Sequence, residues 1–229
     1  MRLTLLFACL VIIVSLFLMS QEASVMELVH DNAEVKENFV LELEFLEDNS
    51  RANALFESFG KDVEKAVYHF KNSTKIDFLF LILYPTFLFF FGKYFCKLTY
   101  WRLKFAGGIC VLMSASDLGE NLQLLGILNH YSGEDFTAFF PRLKLFTWLK
   151  WGAISCLFLL FSKSFFDRKE WIYKILGGFF VLSFLLWIIA FFGGVSPIVY
   201  AQSAALSIFL SLIIVFLVLA KARFERQKK

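Results

Sequence analysis

Six apolar runs, at roughly 3–19, 76–95, 105–128, 146–161, 175–192 and 197–220, dominate the chain, and short polar breaks separate the last five. A helix needs about 20 apolar residues, within a range of about 17–25, to cross the hydrocarbon core of a bilayer. Runs of this length and number restrict the chain to an all-α polytopic membrane bundle of about six transmembrane helices. The first and fourth runs sit at the lower limit of length. A membrane barrel would instead show alternating segments of about 10 residues, and the sequence has none. Composition agrees: 59% of residues are hydrophobic, 31 are Phe, and the mean hydropathy is +0.66. A soluble domain of this size has no means of hiding so much apolar surface from water.

The lipid bilayer is therefore the first partner. A net charge of +3 spread over 229 residues is no nucleic-acid footprint, so no nucleic acid is expected. The four cysteines, Cys9, Cys96, Cys110 and Cys156, fall in or beside apolar runs. They read as buried thiols, silent about redox compartment.

Lys and Arg concentrate on the cytoplasmic ends of membrane helices. Lys93, Lys97, Arg102 and Lys104 fill the break after the second run, and Lys163, Arg168, Lys169 and Lys174 fill the break after the fourth. With six spans, both clusters share a side with Arg2 and with the basic tail from Lys221 to Lys229. The sequence thus predicts a multi-pass protein of the cell membrane, N- and C-termini cytoplasmic and residues 21–75 extracytoplasmic. Trp148 and Trp151 stand where an outer aromatic belt belongs.

Four stretches follow. Residues 1–20 are a first transmembrane helix or uncleaved signal anchor; a cleaved secretory signal is the alternative, against which Phe17–Gln21 lacks a small residue three before the cut. Residues 21–75 form an acidic extracytoplasmic helical segment, with 12 acidic and 6 basic side chains. Residues 76–220 hold five further spans, and 221–229 a basic cytoplasmic tail. Within the acidic segment, Leu55, Phe59, Val63, Ala66, Val67 and Phe70 have helical spacing. Val25, Leu28, Val29 and Val35 imply another helix, and Asp48-Asn49-Ser50 a turn between the two. Val40–Phe45 alternates like a short strand but reads better as helix. The result is an outer amphipathic helical cap, either resting on the bundle or presenting an acidic face to a partner.

A shift of 70 residues aligns Trp101, Lys104, Gly107, Gly108, Val111 and Leu112 with Trp171, Lys174, Gly177, Gly178, Val181 and Leu182. Phe91, Lys93 and Phe95 likewise align with Phe161, Lys163 and Phe165. Convergence on interfacial Trp, inner Lys and small residues is one account. The other is a parallel duplication of helices 2–3 and 4–5, an internal repeat of the kind transporters carry.

One span carries charge. Asp117, Glu120 and Asn121 share a helix face with Ser114, by the spacing i, i+3, i+4. Gly108, Ala115, Gly119 and Gly126 fall on the opposite face, predicting close approach of a neighbouring helix. Ionised side chains facing lipid are costly, so the third span belongs in the centre of the bundle. Asp77 and Gln202 are placed to join this polar cluster, and Lys144 and Lys150 are the available counter-charges.

Three readings of the cluster stand: a structural knot, an ion, proton or solute site in a transport path, and the carboxylates of an intramembrane enzyme. The sequence has no HExxH, GxSxG, Walker glycine loop or cysteine pair at metal spacing. No catalytic residue, metal ligand or cofactor is assigned, and the balance leans away from an enzyme. The leading expectation is a non-enzymatic subunit or accessory of a membrane complex, docking other membrane or extracytoplasmic proteins through its outer segment. The alternatives are a small ion- or proton-coupled carrier or channel and a lipid-active enzyme.

Overall fold

The computed structural model describes residues 2–29, 39–131 and 135–227, with side chains as far as Val218. Among them, all regular structure is helical. Helix α1 spans Arg2–Met26, α2 Phe39–Glu44 and α3 Asn49–Glu57; a 3₁₀ turn follows at Gly60–Asp62. Then come α4 (Val63–Tyr94), α5 (Tyr100–Asn129), α6 (Phe140–Phe166), α7 (Trp171–Phe191) and α8 (Pro197–Gln227).

Among the described residues, five helices are long and apolar enough to cross a membrane: α1, α4 with the turn before it, α6, α7, and α8 as far as Val218. Helix α5 has 30 residues, yet Asp117, Glu120, Asn121 and Gln123 dilute its apolar run. The apolar windows of α1 and α7 are each only 22% buried. Ile13, Phe17, Ile175 and Leu185 stand exposed on them. Surfaces of that kind are stable only against lipid or another protein.

The outer-segment expectations meet a finer structure. Val40–Phe45 takes the helical option as α2 with its closing turn. Asp48 does not simply turn the chain: it caps α3, its carboxylate accepting from the Arg51 N–H at 2.8 Å. The single helix expected through Leu55–Phe70 is broken at Gly60, whose φ of 50° lies in the left-handed region. Val25 ends within α1 and Leu28 and Val29 lie in the following turn; Val35 lies outside the described residues.

The chain divides into two compact units. One comprises Ile12–Ile82 and Ser114–Lys150, and the other Met1–Val11, Leu83–Met113 and Trp151–Lys229; we call them the Lys150 unit and the Tyr200 unit.

In the Lys150 unit, Phe39, Leu43, Leu55, Phe56, Phe59, Val67 and Phe70 pack with Leu124, Ile127, Leu128, Phe136, Phe140 and Leu143 in one buried core. Phe39 lies 4.8 Å from Phe59, the rings tilted by 43°, and Phe56 lies 6.0 Å from Phe136, centroid to centroid. The acidic segment is therefore built into the ends of α5 and α6. It buries its apolar side chains there and leaves Glu47, Asp48, Glu57 and Glu64 exposed.

Close approach on α5 is narrower than the glycine spacing implies. A Cβ on Gly119 would lie 2.7 Å from the Phe146 ring, and one on Gly126 would collide with Phe139. Gly108 has nothing within 4 Å, and Ala115 is exposed. The glycines receive phenylalanine rings rather than a neighbouring backbone, so the stripe shortens to the two positions met by Phe146 of α6 and by Phe139 of the turn just before it.

Pro85 lies inside α4. A helix-interior proline lacks the N–H that would bond the carbonyl four residues earlier, here that of Leu81. Ser114 on α5 donates to the Leu81 oxygen at 2.8 Å. In a membrane such freed carbonyls need a donor from a neighbour, and Ser114 supplies it.

The Tyr200 unit is aromatic. Phe91 meets Phe161 at 5.6 Å, and Phe180 meets Phe158 at 4.8 Å and Phe165 at 5.2 Å. Tyr200 is fully buried, its hydroxyl accepting from Ser155 at 3.2 Å. Along α8, Ser203, Ser207 and Ser211 each return a hydroxyl to the carbonyl three or four residues back. This satisfies them within the helix and lets Ser207 and Ser211 bury completely.

Candidate functional site

Lys150 lies on α6 one turn beyond Thr147, and both side chains are buried. The Thr147 hydroxyl donates to the backbone carbonyl of Glu44 at 3.1 Å, which seats the end of α2 against α6. That seat brings the Glu44 carboxylate to 3.0 Å from the Lys150 ammonium. From α5, Glu120 Oε1 accepts a short hydrogen bond from Lys150 Nζ, and Asp117 Oδ1 stands 3.6 Å away. The side chains of all four charged groups are 10% exposed or less. One ammonium thus faces three carboxylates away from water.

The next residue along the same α5 face extends the cluster. Asn121, buried, donates from Nδ2 to Asp77 Oδ2 at 2.7 Å. Asp77 is half-buried on α4, and so a fourth carboxyl joins through an amide. Glu22 of α1, also half-buried, is close enough to feel the charge of Glu44. Among the described residues, Glu120 Oε2 is buried without a hydrogen-bond partner. An orphan of that kind in a buried network needs an explanation.

Of the residues singled out from the sequence, Asp117, Glu120, Asn121, Asp77 and Lys150 are together. Lys144 is elsewhere: it pairs with Glu47 at 2.8 Å on the surface, both side chains more than half exposed. It stands six positions before Lys150, an offset that sends the two lysines to different faces of α6. Gln202 belongs to the Tyr200 unit and is exposed on α8. Glu44 and Thr147 are site residues that sequence reasoning did not pick. Glu44 follows Leu43 and precedes Phe45, a context no different from that of Glu42, which stays half-exposed. Only the docking of α2 separates the two. Lys150 had a clearer signal, a lone cation between Trp148-Leu149 and Trp151 in an apolar run.

A polar clasp lies at the other end of this segment. Asn49 donates to Asp135 at 2.6 Å and accepts from the Phe136 N–H at 3.0 Å; Asp135 also accepts from the Thr137 N–H at 2.9 Å and from its hydroxyl. These hydrogen bonds, first from Thr137 and then from Asn49, hold the Asp135 carboxyl down to about 2.

Among the described residues, no group of three or more His, Cys, Asp or Glu is arranged to hold a metal ion. No family model matches the chain, and no curated protein or solved structure matches it. The functional reading rests on the site.

Proposed function

We propose that this chain is a six-span, non-enzymatic integral membrane protein in which the Lys150 cluster is the proton site of a small carrier or channel. The observation that carries the reading is the imbalance of the cluster among the described residues. Glu44, Asp117 and Glu120 contact one ammonium, with Asp77 next in line. A structural ion pair balances its charges; an acidic surplus hidden from water is unfavourable unless protons or a cation neutralise it. Ionisable groups inside membranes are costly and mark ion and proton paths. The unpartnered Glu120 Oε2 is an oxygen at which a proton would be held.

Reconstituted in liposomes under an imposed potential, the protein should move protons faster than empty vesicles do. The Asp117→Asn, Glu120→Gln double variant should lose that flux. Equal flux from parent and double variant overturns the transport reading, and flux that follows sodium instead makes the site a sodium site.

The basic clusters support six spans with both termini cytoplasmic and α5 as the third span. A cysteine placed at Thr99 should resist impermeant reagents in intact cells, and labelling from outside refutes this topology. The duplication has local support. In α5 and α7, Gly107 and Gly177 both pack against the preceding helix, Gly108 and Gly178 both have open space, and Trp101 and Trp171 are both exposed.

A second reading is a docking subunit of a membrane complex. It draws on the exposed Glu47, Asp48, Glu57 and Glu64. Capture of a stable partner from membranes, lost when these four are neutralised, would favour it.

A further inference from the structure

The Tyr200 unit contains a cavity of about 1000 Å³ between the α4–α5 and α6–α7 connections, with Val218 of α8 also in its wall. Five basic side chains line it, Lys97, Arg102, Lys163, Arg168 and Lys169, against two acidic ones, Asp167 and Glu170. One of these basic groups, Arg168, is held in place by its head group. The Arg168 guanidinium donates to the Phe95 carbonyl at 2.9 Å and lies 4.8 Å over the Tyr173 ring. That fixes its plane and leaves further N–H donors for a ligand. Lys97 occupies a left-handed position, φ 51°, in a turn closed by the Leu98 N–H on the Gly92 carbonyl at 3.2 Å. Arg102 is half-buried in the first turn of α5. Burial pushes the neighbouring Cys96 thiol up, away from thiolate chemistry, and the basic excess of the lining suits an anion.

The surroundings identify the source of the anion. Tyr100, Trp101 and Trp171 flank the cavity in sequence and are 65%, 75% and 71% exposed. Amphipathic rings of this kind settle at the headgroup level of a bilayer. Arg and Lys forks recognise phosphate oxygens, and basic cavities between membrane helices hold anionic headgroups.

We propose that this cavity binds the phosphodiester headgroup of an anionic phospholipid. The site is separate from the Lys150 cluster, and neither depends on the other.

Native mass spectrometry of the purified full-length protein in detergent, with equal amounts of phosphatidylglycerol and phosphatidylcholine, tests this. The parent should retain phosphatidylglycerol in clear preference. Arg102→Gln with Lys163→Gln should weaken that retention about tenfold or more, since each basic group near a headgroup contributes roughly fivefold. Lys61→Gln with Lys65→Gln, exposed and in the Lys150 unit, should leave it unchanged. Equal retention of the two lipids, or an equal loss in the control pair, overturns the proposal. If the first pair does not fold, the exposed Lys163→Gln alone decides: weakening of several-fold supports the site and no change refutes it. Inorganic phosphate is titrated in parallel. Displacement of the lipid by phosphate at millimolar concentration would make this a soluble-phosphate site and overturn the headgroup assignment.

Discussion

A lysine with three carboxylates around it is a point where one atom governs the stability of its surroundings. Removing Lys150 leaves Glu44, Asp117 and Glu120 facing one another in a buried place. Lys150→Met should therefore lower stability by about 3–5 kcal/mol at neutral pH, read as the melting temperature in detergent. The penalty should shrink on acidification, because protons replace the missing ammonium. Lys144→Ala, which breaks only the exposed pair with Glu47, should change stability by no more than about 1 kcal/mol. Asp135 provides a separate pH signature. Its carboxyl is held down to about 2, so its stabilising bonds are fully present above the ordinary carboxylate range and are lost as pH falls towards 2. Between about pH 4 and pH 2 the parent should lose more stability than Asp135→Asn does; identical slopes in both would show that the clasp is not held by the ionised carboxylate. Much of the cluster was legible at this scale. The i, i+3, i+4 spacing of Asp117, Glu120 and Asn121 is a property of any helix, and a lone Lys in an apolar run must find a counter-charge. Glu44 was not legible, because its burial depends on where a six-residue helix docks, which local spacing does not encode.

At the scale of elements, lengths and positions of the long helices follow from apolar runs, whereas their contacts depend on details of shape. The glycine spacing on α5 correctly marked Gly119 and Gly126 as crowded, yet Gly108 is open, since a stripe of small residues does not specify where a neighbouring helix places its rings. The break at Gly60 was hidden because apolar periodicity continues through it. Pro85 is the reverse case: its chemistry is visible in the sequence, but its compensation comes from another helix. Ser114→Ala should leave the Leu81 carbonyl without its donor, at a cost of about 1–3 kcal/mol. In a Pro85→Ala background the helix regains its own N–H there, and the same serine substitution should cost much less. A double-mutant cycle on melting in detergent measures the difference; additive effects would show that Ser114 does not serve the proline gap.

Among the described residues the molecule is helical, with five helices apolar enough to cross a membrane and a further long helix, α5, that carries Asp117, Glu120 and Asn121. A membrane class was suggested by composition, because Phe, Leu and Ile of this number cannot all be hidden in a soluble core, and the exposed apolar faces of α1 and α7 agree with it. The count of spans was harder to read, since the same residues that give α5 its chemistry dilute its apolarity. That coincidence is physical: a helix holding ionisable groups must be sheltered by its neighbours, and in the Lys150 unit Phe146, Thr147 and Lys150 of α6 provide the shelter along with Asp77 of α4. The account stands on the claim that, among the described residues, this cluster holds more carboxyl groups than its ammonium neutralises and therefore carries protons. Infrared spectroscopy of the purified protein at neutral pH reads this directly, through the C=O stretch of a protonated carboxyl group. The account predicts that this band is present in the parent and reduced or lost in the Asp117→Asn, Glu120→Gln double variant. A parent spectrum showing only ionised carboxylates, unchanged by the substitutions, would contradict it.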